Sequence, residues 1–251
     1  MPISIVINTY NAQAHLAEVL DSVKDFDEIV ICDMESTDST LDIARRYNCH
    51  IVTFEKKNYN FVEPAREFAI HSASNEWVLL IDADELVIPG LKEYLEARIK
   101  EPDCPDAFYI SRRNKFLGKY CIGWSNDYQL RFFRHKRVTW PPRIHARPII
   151  DGVIKNLPHK YYLQHLADES VKQRIAKMNE YTDNEIQKKA TRNYGIFALF
   201  WRPMWAFFRA YILRGGFLIG KRGLVEAKLA AIYQTVAISK MLEIKFREQD
   251  K

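Results

Sequence analysis

Five apolar residues in a row, Trp77 to Ile81, stop abruptly at Asp82-Ala83-Asp84-Glu85. The run is too short for a typical helix and has β-branched members, which predicts a buried strand. Further β-rich runs, predicted as strands, lie at Ile3–Ile7, Glu28–Cys32 and His50–Phe54. Between these runs, apolar residues fall at helical spacing: Leu16, Val19, Leu20 and Val23 first, then Leu41, Ile43, Ala44 and Tyr47. A third helix is predicted over Phe61–Ala73, with Pro64 in its first turn. The order β-α-β-α-β-α-β, with crossovers of this length, predicts a parallel sheet covered by helices.

Polar clusters close three of the strands: Asn8 to Asn11, Asp33 to Ser36, and Asp82 to Glu85. In a parallel sheet they share one rim, the carboxyl edge at which open α/β sheets bind ligands. Continued extended geometry would point Asp82 and Asp84 to the same side. Two such carboxylates suit a hard divalent cation that keeps positions open for phosphate. A solvated acidic turn explains the D-x-D pattern by itself equally well.

The second half is more broken. A helix is expected from Pro89-Gly90 to about Lys100, then short strands at Ala107–Ile110, Gln129–Phe133 and Arg137–Trp140. Trp140 to His145 reads as a loop closing the site. A polar helix follows from Asp168 to about Arg192, and a last helix from Leu224 to about Arg247. Between those helices, Gly195–Gly223 is crowded with Phe, Trp, Leu and Ile and interrupted by Arg202, Arg209, Arg214, Lys221 and Arg222. No apolar run there nears the ~20 residues of a spanning helix. Arginine among aromatics is the composition of a helix lying in a membrane interface, with guanidiniums at phosphate level. A core helix pair or a dimer interface is the plainer alternative.

Charge sharpens this division. Lys172–Lys251 holds 16 basic and 7 acidic residues, whereas the first 171 residues hold 21 and 25. A near-neutral body with a basic aromatic tail points to an anionic partner for the tail, a membrane surface or a phosphate-bearing acceptor. No nucleic-acid recognition motif is present, so nucleic acid is not expected as a partner. The four cysteines are widely spaced, which argues against a zinc site or a disulfide framework and for reduced thiols in cytosol. No basic n-region precedes Ile3, so no signal peptide is expected.

SIVINTYN, EIVICDMESTDST, PAREFAI and WVLLIDADE, in this order and spacing, resemble a family 2 glycosyltransferase with the GT-A fold. Gly123 to Arg134, Ile144-His145 and Leu213-Arg214-Gly215-Gly216-Phe217 narrow the resemblance to a subgroup that includes lipopolysaccharide-core β-1,4-glucosyltransferases. That subgroup often shows Val-His-Glu where this chain has Ile144-His145-Ala146. The resemblance implies an α/β, Rossmann-like, mostly parallel sheet flanked by helices, with a C-terminal helical membrane-associating extension. It divides the chain into a catalytic domain over 1–165 (donor half about 1–100, acceptor half about 101–165) and the extension over 166–251. The implied enzyme is a peripheral protein on the inner face of the cytoplasmic membrane. Its donor is a nucleotide sugar, UDP-linked by preference, and its acceptor a lipopolysaccharide-core, lipid-linked or other envelope glycan.

Residue roles follow from the same resemblance. Tyr10 would stack on the base, with Asn8 and Thr9 hydrogen-bonding nearby. Asp33 resembles the base or ribose acceptor, although an Asx-turn role is open to it. Asp82 resembles the ribose-side carboxylate, Arg66 the diphosphate- or base-side arginine, and Asp84 the ligand of Mg²⁺ or Mn²⁺. His145 is a second candidate for the metal or diphosphate. Asp127, in Asn126-Asp127-x-x-Leu130-Arg131, resembles the general base of an inverting transferase. Glu85 is the other contender, its place beside Asp84 favouring support over catalysis. Trp124 is a candidate sugar platform, and Arg131 and Arg134 candidate partners of diphosphate or acceptor phosphate. Three rival functions stay open at this point: transfer to a polyprenyl phosphate, a D-x-D phosphatase, and a non-catalytic glycan- or nucleotide-binding module. The phosphatase predicts Thr or Val where Leu86 stands, and leaves Tyr10 and Asp33 without a role.

Overall fold

The computed structural model describes residues 1–57, 62–120, 127–141, 147–168, 170–189 and 194–249. Two compact units emerge: Met1–Arg113 with Ser125–Leu166, and Asn114–Trp124 with Ala167–Lys251.

The first unit opens with β1 (Ile3–Thr9), α1 (Leu16–Val23), β2 (Glu28–Asp33), α2 (Thr40–Arg46), β3 (His50–Thr53), α3 (Glu63–His71) and β4 (Trp77–Asp82). These strands pair in the order β3-β2-β1-β4, all parallel, as the crossover pattern predicts. Period-two alternation with both faces covered explains why β4 reads as a continuous apolar run. Trp77, Leu79 and Ile81 enter one core layer with α1, while Val78 and Leu80 enter the opposite layer with Ala65, Ala69 and Ile70 of α3. Both faces are covered, so no polar position interrupts the run.

Next come β5 (Glu85–Val87), α4 (Leu91–Arg98), β6 (Ala107–Phe116), β7 (Lys119–Tyr120), β8 (Tyr128–Arg134), β9 (Val138–Thr139), β10 (Ile149–Ile150), β11 (Ile154–Asn156) and β12 (Tyr162–Asp168). The sheet continues past β4 as β8-β6-β12-β5. The β4–β8, β8–β6 and β12–β5 pairs are antiparallel, so the whole sheet is mixed.

Several expectations need correction. β5, β7, β10, β11 and β12 are not visible as separate strands in the pattern, because they are short or half-buried and carry little alternation. Arg137–Trp140 is a strand only at Val138–Thr139, preceded by a 3-10 turn at His135–Arg137. The extended geometry expected through Asp82-Ala83-Asp84 is broken, since β4 ends at Asp82 and the chain turns at residues 83–84 into β5.

The second unit carries α5 (Val171–Lys189), α6 (Ala198–Phe208) and α7 (Lys221–Gln249), with a π turn at Arg209–Leu213 and a 3-10 turn at Gly216–Ile219 between the last two. A Cβ at Gly223 would stand 1.8 Å from the Gly216 carbonyl oxygen, so this backbone approach admits only glycine. Phe116 and Leu229 form its small core. Among the described residues, no helix is long and apolar enough to cross a membrane.

Candidate active site

The carboxyl ends of β1 and β4 are neighbours, with Asn8 opposite Asp82 in register. A cavity of about 700 Å³ opens at this rim, lined among others by Asn8, Thr9, Tyr10, Arg66, Asp82, Asp84 and His165. The Tyr10 ring is 46% exposed, with the Lys56 ammonium 4.0 Å from its centroid. One face of the half-exposed ring therefore carries a cation. The Asn8 side-chain amide is buried, with the Cys32 thiol as a hydrogen-bond partner. A buried amide with capacity left over suits a ligand that supplies a further donor or acceptor.

Asp33 lies differently. It is 1% exposed and is not among the residues lining the cavity. Its carboxylate accepts hydrogen bonds from the Thr9 hydroxyl (2.8 Å), the Ser36 amide (2.8 Å) and the Ser36 hydroxyl (2.6 Å). That is the Asx-turn arrangement, which ties the end of β1 to the loop after β2.

The two aspartates of the D-x-D pattern do different things. Asp82 is gripped by guanidiniums. Arg66 Nη2 donates to it at 2.7 Å, and Arg131 binds it through both terminal nitrogens. Burial works against its charge, but Arg131 and Arg66 more than offset that and hold the carboxyl well below the usual carboxylate range. Glu85 is fully buried, accepts the Asp82 amide at 3.0 Å and is bound by Arg131 Nη2 at 2.8 Å. Burial pushes the Glu85 carboxyl up despite these partners. This 0% exposure gives Glu85 no access to a substrate proton.

Asp84 is open to the cavity, and His165 Nε2 stands 3.1 Å from its Oδ2. His165 is a site residue that the linear pattern does not reveal. It arrives by strand pairing: β12 runs antiparallel to β5, placing His165 opposite Glu85, and the Leu166 amide donates to the Asp84 carbonyl at 2.8 Å. Its only sequence signal is a histidine in a half-polar strand 81 residues after Asp84. No group of three His, Cys, Asp or Glu suited to a metal occurs among the described residues. A carboxylate and an imidazole are nonetheless a donor pair that Mn²⁺ or Mg²⁺ accepts when phosphate oxygens and water complete the shell. Asp82, with both oxygens on arginines, is poorly placed to join them.

A second cavity, about 310 Å³, shares Arg66 and Asp82 with the first and is also lined by Arg112, Gln129, Arg131, Trp140 and Arg147. Asp127 is bonded to two of these residues, Arg112 Nε at 2.9 Å and Gln129 Nε2 at 2.6 Å. Arg134 is not brought to the site. Strand β8 runs antiparallel to β4, so Arg134 pairs with Trp77 at the far end, about 16 Å of strand from Asp82. There it bridges Glu76 and Asp106 and covers the Trp77 ring. Its expected contact with diphosphate or acceptor phosphate is therefore withdrawn. Trp124 and His145 lie outside the described residues.

Similarity to known proteins agrees with this architecture. An uncharacterized glycosyltransferase of Rickettsia typhi is 25% identical, with 99% of this chain and 89% of that protein covered. The lipopolysaccharide core biosynthesis glycosyltransferase LpsC of Rhizobium meliloti is 24% identical, with 97% and 93% covered. Among solved structures, the S. aureus TarS fragment 1-349 in complex with UDP superposes with a TM-score of 0.52 at 17% identity, covering 99% of this chain and 92% of that one. The same fragment in complex with UDP-GlcNAc gives 0.53 at 16%, covering 92% and 90%. At that identity the likeness shows a shared GT-A-like fold. The sequence profile described as "Glycosyl transferase family 2" matches residues 4–205 of the 251, and the chain therefore belongs to this family of glycosyltransferase enzymes.

Proposed function

We propose that this glycosyltransferase moves a hexose from a UDP-linked sugar to an envelope glycan or glycolipid at a membrane surface, with inversion. The observation that carries the donor assignment is the rim cavity. It joins a half-exposed aromatic ring, a buried amide and the Asp84–His165 pair within one 700 Å³ space. Tyr10 is assigned to the base, Asn8 and Thr9 to base and ribose, Asp82 to the ribose side and Arg66 to the diphosphate or base side. The UDP and UDP-GlcNAc complexes of TarS, which shares the fold, support a uridine nucleotide. Asp84 and His165 would hold Mg²⁺ or Mn²⁺, which would neutralise the departing diphosphate. LpsC supports an acceptor of the lipopolysaccharide-core type.

Asp127 is assigned as general base. Its carboxylate takes the proton of an acceptor hydroxyl while that oxygen bonds to the anomeric carbon, and the carbon–oxygen bond to the nucleoside diphosphate breaks on the opposite face. One observation favours the second reading, transfer to a polyprenyl phosphate whose oxygen is already ionised. Asp127 is held by Arg112 and Gln129, which weakens it as a base.

Residues 1–165 are assigned to donor and acceptor binding and residues 166–251 to membrane attachment. Phe197, Phe200, Trp201, Met204, Trp205 and Phe208 fall at helical spacing, and all are 44–83% exposed. Arg209 is exposed at the end of this face. An apolar face ending in a cation suits an anionic bilayer interface.

The test is nucleotide binding by thermal shift, with UDP release from UDP-glucose measured beside an envelope glycolipid extract. UDP should stabilise the wild type in a Mn²⁺-dependent way. Asp84→Ala should lose the Mn²⁺ dependence. Asp127→Asn should keep it and lose turnover by about 10²- to 10⁴-fold. Stabilisation by no nucleotide would overturn the donor assignment. Undiminished turnover in Asp127→Asn would remove the base and favour the phosphate acceptor.

A further inference from the structure

The 310 Å³ cavity between α3, β8 and the Trp140 strand end holds hydrogen-bonding capacity that the protein itself does not use. Arg131 is 4% exposed. Its terminal nitrogens are committed to Asp82 and Glu85, but its Nε is buried without a partner. Trp140 is 7% exposed, its ring lies 5.1 Å from the Arg66 guanidinium, and its Nε1 is also buried without a partner. Arg147 lines the same cavity, is exposed, and has no hydrogen bond or ion pair with the described residues. Indole Nε1–H and guanidinium N–H can only donate.

Burying such donors unpaired costs free energy, which a native protein tolerates where a ligand completes them. Four arginines line the cavity against two carboxylates, Glu63 and Asp82, and with three donors left over, two of them on cations, this balance calls for an acceptor-rich anion. Guanidinium supplies the planar fork that matches phosphate or carboxylate. We infer that this cavity seats an oxyanion, phosphate or carboxylate, carried by the acceptor sugar.

Its position supports the acceptor over the donor. Tyr10, Asp84 and His165 line the rim cavity, and only Arg66 and Asp82 line both. A nucleotide in the first cavity leaves the second free. Arg112 and Gln129 line the second cavity and hold Asp127, so an anchored acceptor would lie beside the assigned base. The anion then orients the acceptor so that a neighbouring hydroxyl faces the donor, which is where positioning contributes most to rate. This inference rests on the donor assignment made above and adds the chemical class of acceptor.

The test uses the full chain saturated with UDP and Mn²⁺, titrated with inorganic phosphate or acetate against chloride at matched ionic strength. Saturable stabilisation by either anion beyond chloride is expected, and the tighter of the two identifies the acceptor's group. Arg147→Gln and Trp140→Phe should each weaken that binding by about tenfold, as loss of a hydrogen bond to a charged group would. Arg46→Gln, an equal charge change on the exposed side of α2, should leave it unchanged. UDP binding should stay intact in all three variants. No anion effect beyond chloride on UDP-loaded wild type would overturn the seat and leave the donor assignment standing. Phosphate that competes with UDP would place the anion in the donor's diphosphate site and overturn the seat as well. Failure of UDP itself to bind would remove the donor assignment, and the acceptor seat with it.

Discussion

Trp77, Val78, Leu79, Leu80 and Ile81 of β4 are at most 1% exposed, whereas Phe197, Phe200, Trp201, Met204, Trp205 and Phe208 are all at least 44% exposed. Both stretches are dense in large apolar side chains. They differ in what covers them. The strand has a helical layer on each face, so its apolar surface is spent on folding. Among the described residues, no such layer of its own unit covers the α6 face, so its apolar surface remains available for binding. An exposed patch of this kind marks an interaction surface. Equal hydrophobicity therefore says little about role until the neighbours are known.

The largest effect should come from cutting the buried side of that contrast. Leu79→Ala, at a position with 0% exposure, should cost about 2–5 kcal/mol in urea unfolding. Phe200→Ala, 68% exposed, should change stability by no more than about 0.5 kcal/mol. Similar losses in both would mean that the aromatic face is covered in solution. Next in size is the binding side. Trp201→Ser with Trp205→Ser should lower partition onto phosphatidylglycerol-containing vesicles by at least about tenfold, with unfolding unchanged. Unaltered partition would contradict the proposed membrane attachment of this face.

The smallest effect probes how the first unit holds its polar rim, where no apolar layer does the work. Arg66 and Arg131 hold the Asp82 carboxyl below its unfolded range near 3.9. The stability this supplies is complete above the unfolded value and is lost as pH falls towards the folded one. Arg66→Met removes one of the two guanidiniums, so the variant should be less stable than wild type at pH 7. The gap should hold through about pH 4 and narrow only at lower pH, where the Asp82 carboxyl protonates first in the variant, whose folded value is the less depressed. Urea titrations at pH 7 and pH 3 read this directly, and a gap that widened in acid would contradict the assigned ion pair.

The rim cavity was half legible from the chain. Asn8, Thr9, Tyr10 and Asp82 sit where parallel strands end, and that position follows from alternating apolar runs and crossover lengths alone. The same local logic located the helices, because an amphipathic stripe is written into spacing of three and four. Asp33 was placed at the right loop, but its side chain was free in sequence to face either a ligand or its own turn. In the structure its carboxylate contacts Thr9 and Ser36.

What the sequence by itself determined is thus the parallel half of the sheet, the edge on which chemistry can occur, and the segregation of basic aromatic residues into the last third. Tertiary structure alone decided the rest. It brought His165 to Asp84 through the β12–β5 pairing, carried Arg134 away from the site because β8 runs antiparallel, and divided Asp82 from Asp84 by a turn. The physical reason is separation along the chain. Local periodicity encodes which face of an element is buried, whereas strand order and register depend on pairings across tens of residues, and no short window of sequence contains both partners.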